Sequence, residues 1–366
     1  MSSHIIVVKI GSSVVVKENI SATETQLQNV FRTVGNLMLS GYKIIFVLSG
    51  AVATGRAEGV LTWKQAQAAR GQWLLNAAVE RVATREGVRA ALLLLSRKEF
   101  IHRNRYEAFQ KTIATLLDNG YVAVVNENDA VLPGPEDGFP DNDHLAAILA
   151  ISVHAEQLFL LTNVDGIYSN NPNRGHEVKL LHEIVNVNAS LLEIARGEHS
   201  ATGRGGMVGK LKAARLATAT GIPVHVFNGI HPEYLEDIVL REKRHGTFCH
   251  PRSKANAKLS DRERWLLSSQ NTGSSIQIDP GAVQALRSRK SLLAVGVHAL
   301  FGQFAEHEVV EIVDMRKETV AVGLTGISSK ALEEFIKKAK KPSGVEVIHA
   351  DNLILLATQN SHGVSL

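Results

Sequence analysis

Lys9 sits inside an apolar run, IIVVKI (5–10), and Gly11-Ser12-Ser13 follows it. A lysine in such a run is costly to bury unless its ammonium emerges at a polar site. The glycine and serines after it offer backbone N–H groups in a turn that a phosphate can approach. A lysine snorkelling from a sheet edge to water would give the same pattern. A second lysine, Lys210, closes the glycine-rich stretch Thr202-Gly203-Arg204-Gly205-Gly206-Met207-Val208-Gly209-Lys210. This loop fits neither common nucleotide template. Leu211 follows the lysine where a Walker loop needs Ser or Thr, and Val208 stands where the dinucleotide pattern needs glycine. Alone, the loop indicates an anion close to backbone, with a surface loop as the plain alternative.

The third group is Asp141-Asn142-Asp143, at the mouth of a helical pattern carried by Leu145, Ile148, Leu149 and Val153. Asp and Asn are preferred N-caps, so an ordinary helix start is the base case. Other strand-like runs also end in polar or small residues. Leu48-Ser49-Gly50-Ala51 opens a small-residue turn into a helix. Asn126-Glu127-Asn128-Asp129 ends another run with four hydrogen-bonding side chains, and Thr162-Asn163 ends a third. A turn accounts for one or two such residues, while a pocket that reads an ammonium or amide accounts better for their density. Two lysines, small-residue turns and several acids fit phosphoryl transfer, where positioning and charge stabilisation dominate. No general base stands out, and His144 reads as a bystander. An ionised carboxylate nucleophile would need no base.

The elements that must position these residues alternate. Apolar runs at 5–10, 43–49, 89–96, 121–126, 157–163 and 222–228 read as strands buried on both faces of a mostly parallel sheet. Helical spacing runs from Leu27 to Leu39, Leu74 to Val82, Tyr106 to Leu117 and Leu211 to Ala219. The expected fold is therefore α/β, an open, mostly parallel sheet between helices, with ligands beyond the carboxyl ends of the strands. After about residue 250 the pattern changes. Residues 256–273 read as a linker between a first domain, 1–255, and a second, 274–366. The second holds short alternating runs and a basic helix from Ser329 to Lys341, a small β-rich barrel or roll.

Bulk properties exclude several classes. The chain has 366 residues, 45% hydrophobic and 21% charged, the composition of a globular protein. Cys249 is the single cysteine, so no intrachain disulfide can form and a thiolate zinc site is not expected; no metal ligand is assigned. The net charge of +4 does not by itself argue for nucleic acid. No apolar stretch reaches the ~20 residues that span a bilayer, and the N-terminus lacks signal-peptide features. A cytoplasmic protein without a membrane partner is expected.

VVKIGSS, VLSGAVATG, VNENDAV, DNDHLAA, LLTNVDGIY and GGMVGKLKAA occur in one order. Together they resemble the amino-acid kinase superfamily, and within it the glutamate 5-kinase family; IQIDPGAVQAL, SLLAVGV and FGQF resemble a PUA domain. The resemblance implies ATP-dependent phosphorylation of the γ-carboxylate of L-glutamate, with Mg²⁺ on the nucleotide, as the first step of proline biosynthesis. It places Lys9 and Lys210 on the transferring phosphoryl group and makes Asp143 the residue that orients them. Ser49, Asp129, Asn142 and Asp141 would hold glutamate. Lys9, Gly11, Thr162, Asn163 and the loop Arg204, Gly205, Gly206, Met207, Val208, Gly209 and Lys210 would surround ATP. Proline feedback and a homo-oligomer, dimer or tetramer, are implied in the same way. The chain departs from the family pattern where Pro140 replaces a glycine, Asn163 an aspartate, and Arg204 and Gly209 threonines. Two further readings stay open. One is a kinase of the same superfamily acting on another small acid, phosphate or phosphonate. The other is an RNA-binding regulator with a degenerate kinase domain, since PUA domains in other proteins bind RNA.

Overall fold

The computed structural model describes residues 4–16, 20–57, 59–134, 138–169, 178–195, 206–251, 259–336 and 344–356. The chain divides into two compact units, Met1–Arg252 and Ser253–Leu366.

The first unit is built on β1 (Ile5–Ile10), β2 (Lys43–Val47), β3 (Arg89–Leu95), β4 (Tyr121–Glu127), β5 (Gln157–Thr162), β6 (Glu183–Ile184), β7 (Val224–Asn228) and β8 (Thr247–Cys249). Its helices are α1 (Ser12–Val15), α2 (Ile20–Leu39), α3 (Ala51–Arg56), α4 (Lys64–Arg85), α5 (Lys98–Ile101), α6 (Arg103–Asp118), α7 (Asn142–Ser152), α8 (Ala189–Ala195), α9 (Gly206–Ala219) and α10 (Tyr234–Arg241). The strands form one sheet in the order β3-β4-β2-β1-β5-β7-β8-β6. The pairs β1–β2, β1–β5, β2–β4, β3–β4, β5–β7 and β6–β8 are parallel, while β7–β8 is antiparallel.

All six residues of β1 are buried, as a central strand covered on both faces requires. Burying each such aliphatic side chain is worth roughly 1.5–3 kcal/mol. Phe31 and Val34 of α2, Leu75 and Val82 of α4, and Phe46 and Phe159 of the sheet share the same core. From β1 the sheet grows one way through β2, and from β5 it grows the other way through β7. The seam between β1 and β5 is therefore a switch point, beyond whose strand carboxyl ends sheets of this kind bind ligands.

One strand departs from the sequence expectation. β3 is not buried on both faces: it forms the edge of the sheet, and Leu92 and Leu94 are 44% and 36% exposed. Its apolar run resembles that of a central strand because composition does not reveal position in a sheet. Between α3 and α4 the backbones meet. A Cβ at Gly71 would overlap the Ala51 carbonyl, and one at Gly55 the Gln67 carbonyl, so only glycine permits this crossing.

The second unit contains α11 (Asp261–Ser268), β9 (Gln270–Ile278), α12 (Pro280–Arg287), β10 (Leu292–Leu293), β11 (Val297–Phe301), β12 (Val309–Val313), β13 (Thr319–Leu324), α13 (Ser329–Ile336), β14 (Glu346–Ile348) and β15 (Leu353–Leu355). Five strands pair in the order β11-β9-β12-β13-β15, and β10 pairs with β14. Residues 259–273, which read as linker, carry α11 and the start of β9. Ser260 and Glu263 form a reciprocal capping box, and Leu266 and Leu267 are buried behind the polar surface that masks them in the sequence. The basic helix is described as α13 up to Ile336.

Candidate active site

The carboxyl ends of β1, β2, β4 and β5 gather the polar residues. Lys9 is the penultimate residue of β1, paired with Val47 of β2 and Leu160 of β5. Gly11 N–H donates to Leu161 O at 3.0 Å, which ties the turn after β1 to the end of β5. Lys9 thus stands at the seam between the two halves of the sheet.

Three roles divide the stretch Asp141–Asp143. Asp141 is the N-cap of α7, accepting from His144 N at 2.8 Å. Asn142 Nδ2 lies within donating distance of Leu48 O (2.8 Å), Ser49 Oγ (2.9 Å) and Asn126 Oδ1 (2.9 Å). Asp143 reaches the lysines. Its Oδ1 is 2.8 Å from Lys9 Nζ and its Oδ2 accepts from Lys210 Nζ at 3.0 Å. All three side chains are less than a tenth exposed. Phe139, just before Pro140, is buried and donates its N–H to Glu127 Oε1 at 2.6 Å, so the approach to α7 is anchored to the end of β4.

Burial alone would push the Asp143 carboxyl up, but the Lys9 and Lys210 ammoniums hold it down at about 2. Burial pulls Lys9 below its ordinary value; Asp143 opposes that shift and Lys210 reinforces it. Asp141 is shifted the other way, raised first by burial and then by the charge on Asp143. Lys9, Lys210 and Asp143 together carry a surplus positive charge in a water-poor place, the sign and setting that a transferring phosphoryl group requires. His144 is pushed down to about 4 by burial, then by Arg97 and Lys212, so it is neutral near pH 7 and supplies no charge there.

The nucleotide-side residues fall on β5 and α9. Thr162 is buried at the end of β5, and its hydroxyl donates to Asn163 Oδ1 at 3.4 Å; Asn163 is exposed. Gly206 opens α9 at φ 36°, and Met207, Val208, Gly209 and Lys210 form its first turns. Gly209 has a visible structural reason: a Cβ there would overlap the Asp141 carboxylate. Arg204 and Gly205 lie outside the described residues.

Asp129 is placed differently from the other substrate candidates. It opens the 3₁₀ turn Asp129–Val131, 3.9 Å from Lys64 Nζ, and lines a cavity of about 550 Å³ with Ala68, Gln72, Trp73, Leu92 and Leu94. Among the described residues no group of three or more His, Cys, Asp or Glu side chains is placed to hold a metal ion. Both Asp143 oxygens are engaged by lysines, so a divalent ion here would arrive on nucleotide phosphates, the usual habit of Mg²⁺.

Sequence reading missed two residues, Asn126 and Gln72. Asn126 belongs to the polar cluster at the end of β4, but only Asp129 was singled out from it. Gln72 lies at the border of the apolar stripe Ala68, Leu75, Val79 and Val82 of α4, and a polar residue at such a border is easily taken for surface.

The amino acid kinase family matches residues 4–228, and the PUA domain matches residues 274–347. Glutamate 5-kinase of Prochlorococcus marinus (strain MIT 9313) is 35% identical over 359 residues, spanning 95% of this chain and 98% of that protein. Glutamate 5-kinase of Synechococcus sp. (strain CC9605) is 36% identical with the same coverage. On these matches, the chain belongs to the amino acid kinase family and carries a PUA domain after its kinase domain.

Proposed function

We propose that the protein transfers the γ-phosphoryl group of ATP to the γ-carboxylate of L-glutamate, giving L-glutamyl 5-phosphate and ADP, the entry step of proline biosynthesis. The observation that carries this reading is Asp143 bridging Lys9 and Lys210 beside the Asn142–Ser49 pair. The relatives' name supplies the acceptor. A glutamate carboxylate oxygen attacks the γ-phosphorus, forming a new P–O bond. The bond from that phosphorus to the β–γ bridging oxygen breaks, and its electron pair leaves with ADP. The acceptor is ionised at neutral pH, so no general base is required.

Lys9 and Lys210 neutralise charge on the transferring oxygens, and Asp143 aims both ammoniums. Thr162, Asn163 and the start of α9 serve the nucleotide, with backbone N–H groups and the helix dipole favouring phosphate. Mg²⁺ bound to the nucleotide would add further charge neutralisation. Asn142 and Ser49 hold the acceptor, and Asp129 offers a carboxylate to its ammonium.

Purified protein is expected to release ADP only when ATP, Mg²⁺ and L-glutamate are all present. A panel containing aspartate, N-acetylglutamate, carbamate and small phosphates should give no comparable turnover. Release with one of these instead of glutamate would assign another acceptor to the same machinery. The reading extends to slowing by proline, a dimer or tetramer in solution, and a cytoplasmic location. Inhibition assays, light scattering after size exclusion and cell fractionation check these in turn.

A further inference from the structure

Two backbone groups settle which ends are oxygen in a chain of side-chain amides that includes Asn142. Asn126 Oδ1 accepts from the Glu127 N–H at 2.9 Å. A backbone N–H can only donate, so this contact settles which end of the Asn126 amide is oxygen. Its nitrogen then donates to Gln72 Oε1 at 2.9 Å. At the other end, Asn142 Nδ2 donates to the Leu48 carbonyl, which can only accept. The same nitrogen is 2.9 Å from both Ser49 Oγ and Asn126 Oδ1. Three acceptors share the two hydrogens of the Asn142 nitrogen, which settles the other end of that amide as oxygen, the end able to accept from a ligand.

We infer that Gln72 is a positioning residue for the acceptor site: it holds the Asn126 amide, and through it the Asn142 amide, in the single orientation that presents Asn142 Oδ1 to the substrate's ammonium. Without Gln72, the Asn126 nitrogen loses its acceptor and the amide can swing away from Asn142. Gln72 is itself held from behind. The Gly71 backbone packs against Ala51 of α3, and Asn76 Nδ2 donates to the Gln72 carbonyl at 2.6 Å. Gln72 Nε2 is buried without a hydrogen-bond partner. That end makes no bond which could hold the side chain in place of the Asn126 contact. Gln72 also lines the cavity that contains Asp129.

The role of the relay in turnover rests on glutamate being the acceptor; the relay itself does not. The test replaces Gln72 with methionine, which is similar in length and removes the acceptor. Q72M should raise KM for glutamate about fivefold to tenfold, the effect of one buried hydrogen bond, with KM for ATP unchanged. In a double-mutant cycle with Asn142→Ala, the Gln72 replacement should have little further effect. A loss confined to kcat, a parallel rise in both KM values or full additivity with N142A would overturn the positioning role. A second measurement does not depend on the substrate. In ¹⁵N-labelled protein the side-chain amide signals of Asn126 and Asn142, assigned by their disappearance in N126D and N142D, should exchange with water at least tenfold faster in Q72M. Unchanged exchange refutes the relay whatever the acceptor is. Absence of glutamate-dependent turnover in the unaltered protein refutes the acceptor assignment alone.

Discussion

Asp143 is the residue on which the charges of the site converge. Lys9 and Lys210 together hold its carboxyl at about 2, against an ordinary value of 3.8. Its contribution to stability is therefore complete above about pH 4 and is lost as the pH falls through 2. Replacing it removes one partner of a buried ion cluster, which typically costs about 3–5 kcal/mol. Asp143→Asn should lower unfolding free energy by an amount of that order in urea melts. It should also reduce kcat by at least about a hundredfold, because neither ammonium is then aimed. Lys9→Met and Lys210→Met should each lower kcat by roughly a hundredfold to a thousandfold with a smaller effect on folding, measured by steady-state ADP release. A variant that kept more than a tenth of the activity would remove that lysine from the phosphoryl-transfer step. The neighbouring Asp141 caps α7. Asp141→Ala should cost about 1 kcal/mol of stability, and Gly209→Ala should displace the same carboxylate and cost at least as much.

Elements were more legible in the sequence than partners. β1, β2, β4 and β5 were visible because central parallel strands are continuous apolar runs, and each ends in the residues that form the site. Lys9 and Lys210 were visible because a charge at the edge of an apolar or glycine-rich stretch is unusual. Asn142's partners were not visible. Leu48 O is backbone, Asn126 comes from β4 and Ser49 from the turn after β2, and no local pattern encodes their convergence. Nor could the edge position of β3 be read, since Leu92 and Leu94 look like core residues until a neighbour is missing on one side. The α3–α4 crossing was equally hidden: nothing in the run around Gly71 tells that its missing side chain admits the Ala51 carbonyl. Gly71→Ala should destabilise by about 1–3 kcal/mol through overpacking against backbone, seen as a lower urea midpoint at unchanged m-value. It should also weaken glutamate binding, because it shifts Gln72.

At the scale of the whole molecule, pH acts through histidines held below their ordinary value as well as carboxylates: His144 is buried and His225 half-buried. His225 stacks on Phe159 at 4.9 Å between ring centroids and lies 4.8 Å from Phe248; burial pushes it down to about 4. His144 is depressed to a similar value. In the unfolded chain both protonate near 6.5, so between about 6.5 and 4 the unfolded state binds more protons than the folded one. Stability should therefore fall as the pH is lowered across that window, by a few kcal/mol at most. His225→Phe should flatten this dependence relative to the unaltered protein, with urea melts at pH 7 and 5 as the measurement. An equal slope in both proteins would mean that His225 is not a source of it.

The central place of β1 has a consequence for how the protein is made. Its neighbours in the sheet are β2, which emerges from the ribosome soon afterwards, and β5, which emerges only after β3 and β4 and the helices that follow them. Lys9 precedes β2 through β5 in the chain, yet its carboxylate partner is in α7 and the second lysine of the cluster is in α9. One edge of β1 therefore waits unpaired through much of translation, with apolar side chains and free backbone groups, the kind of segment that invites aggregation. Slow translation between β2 and β5 should lengthen that exposure, while synthesis through α9 supplies the last charge of the cluster.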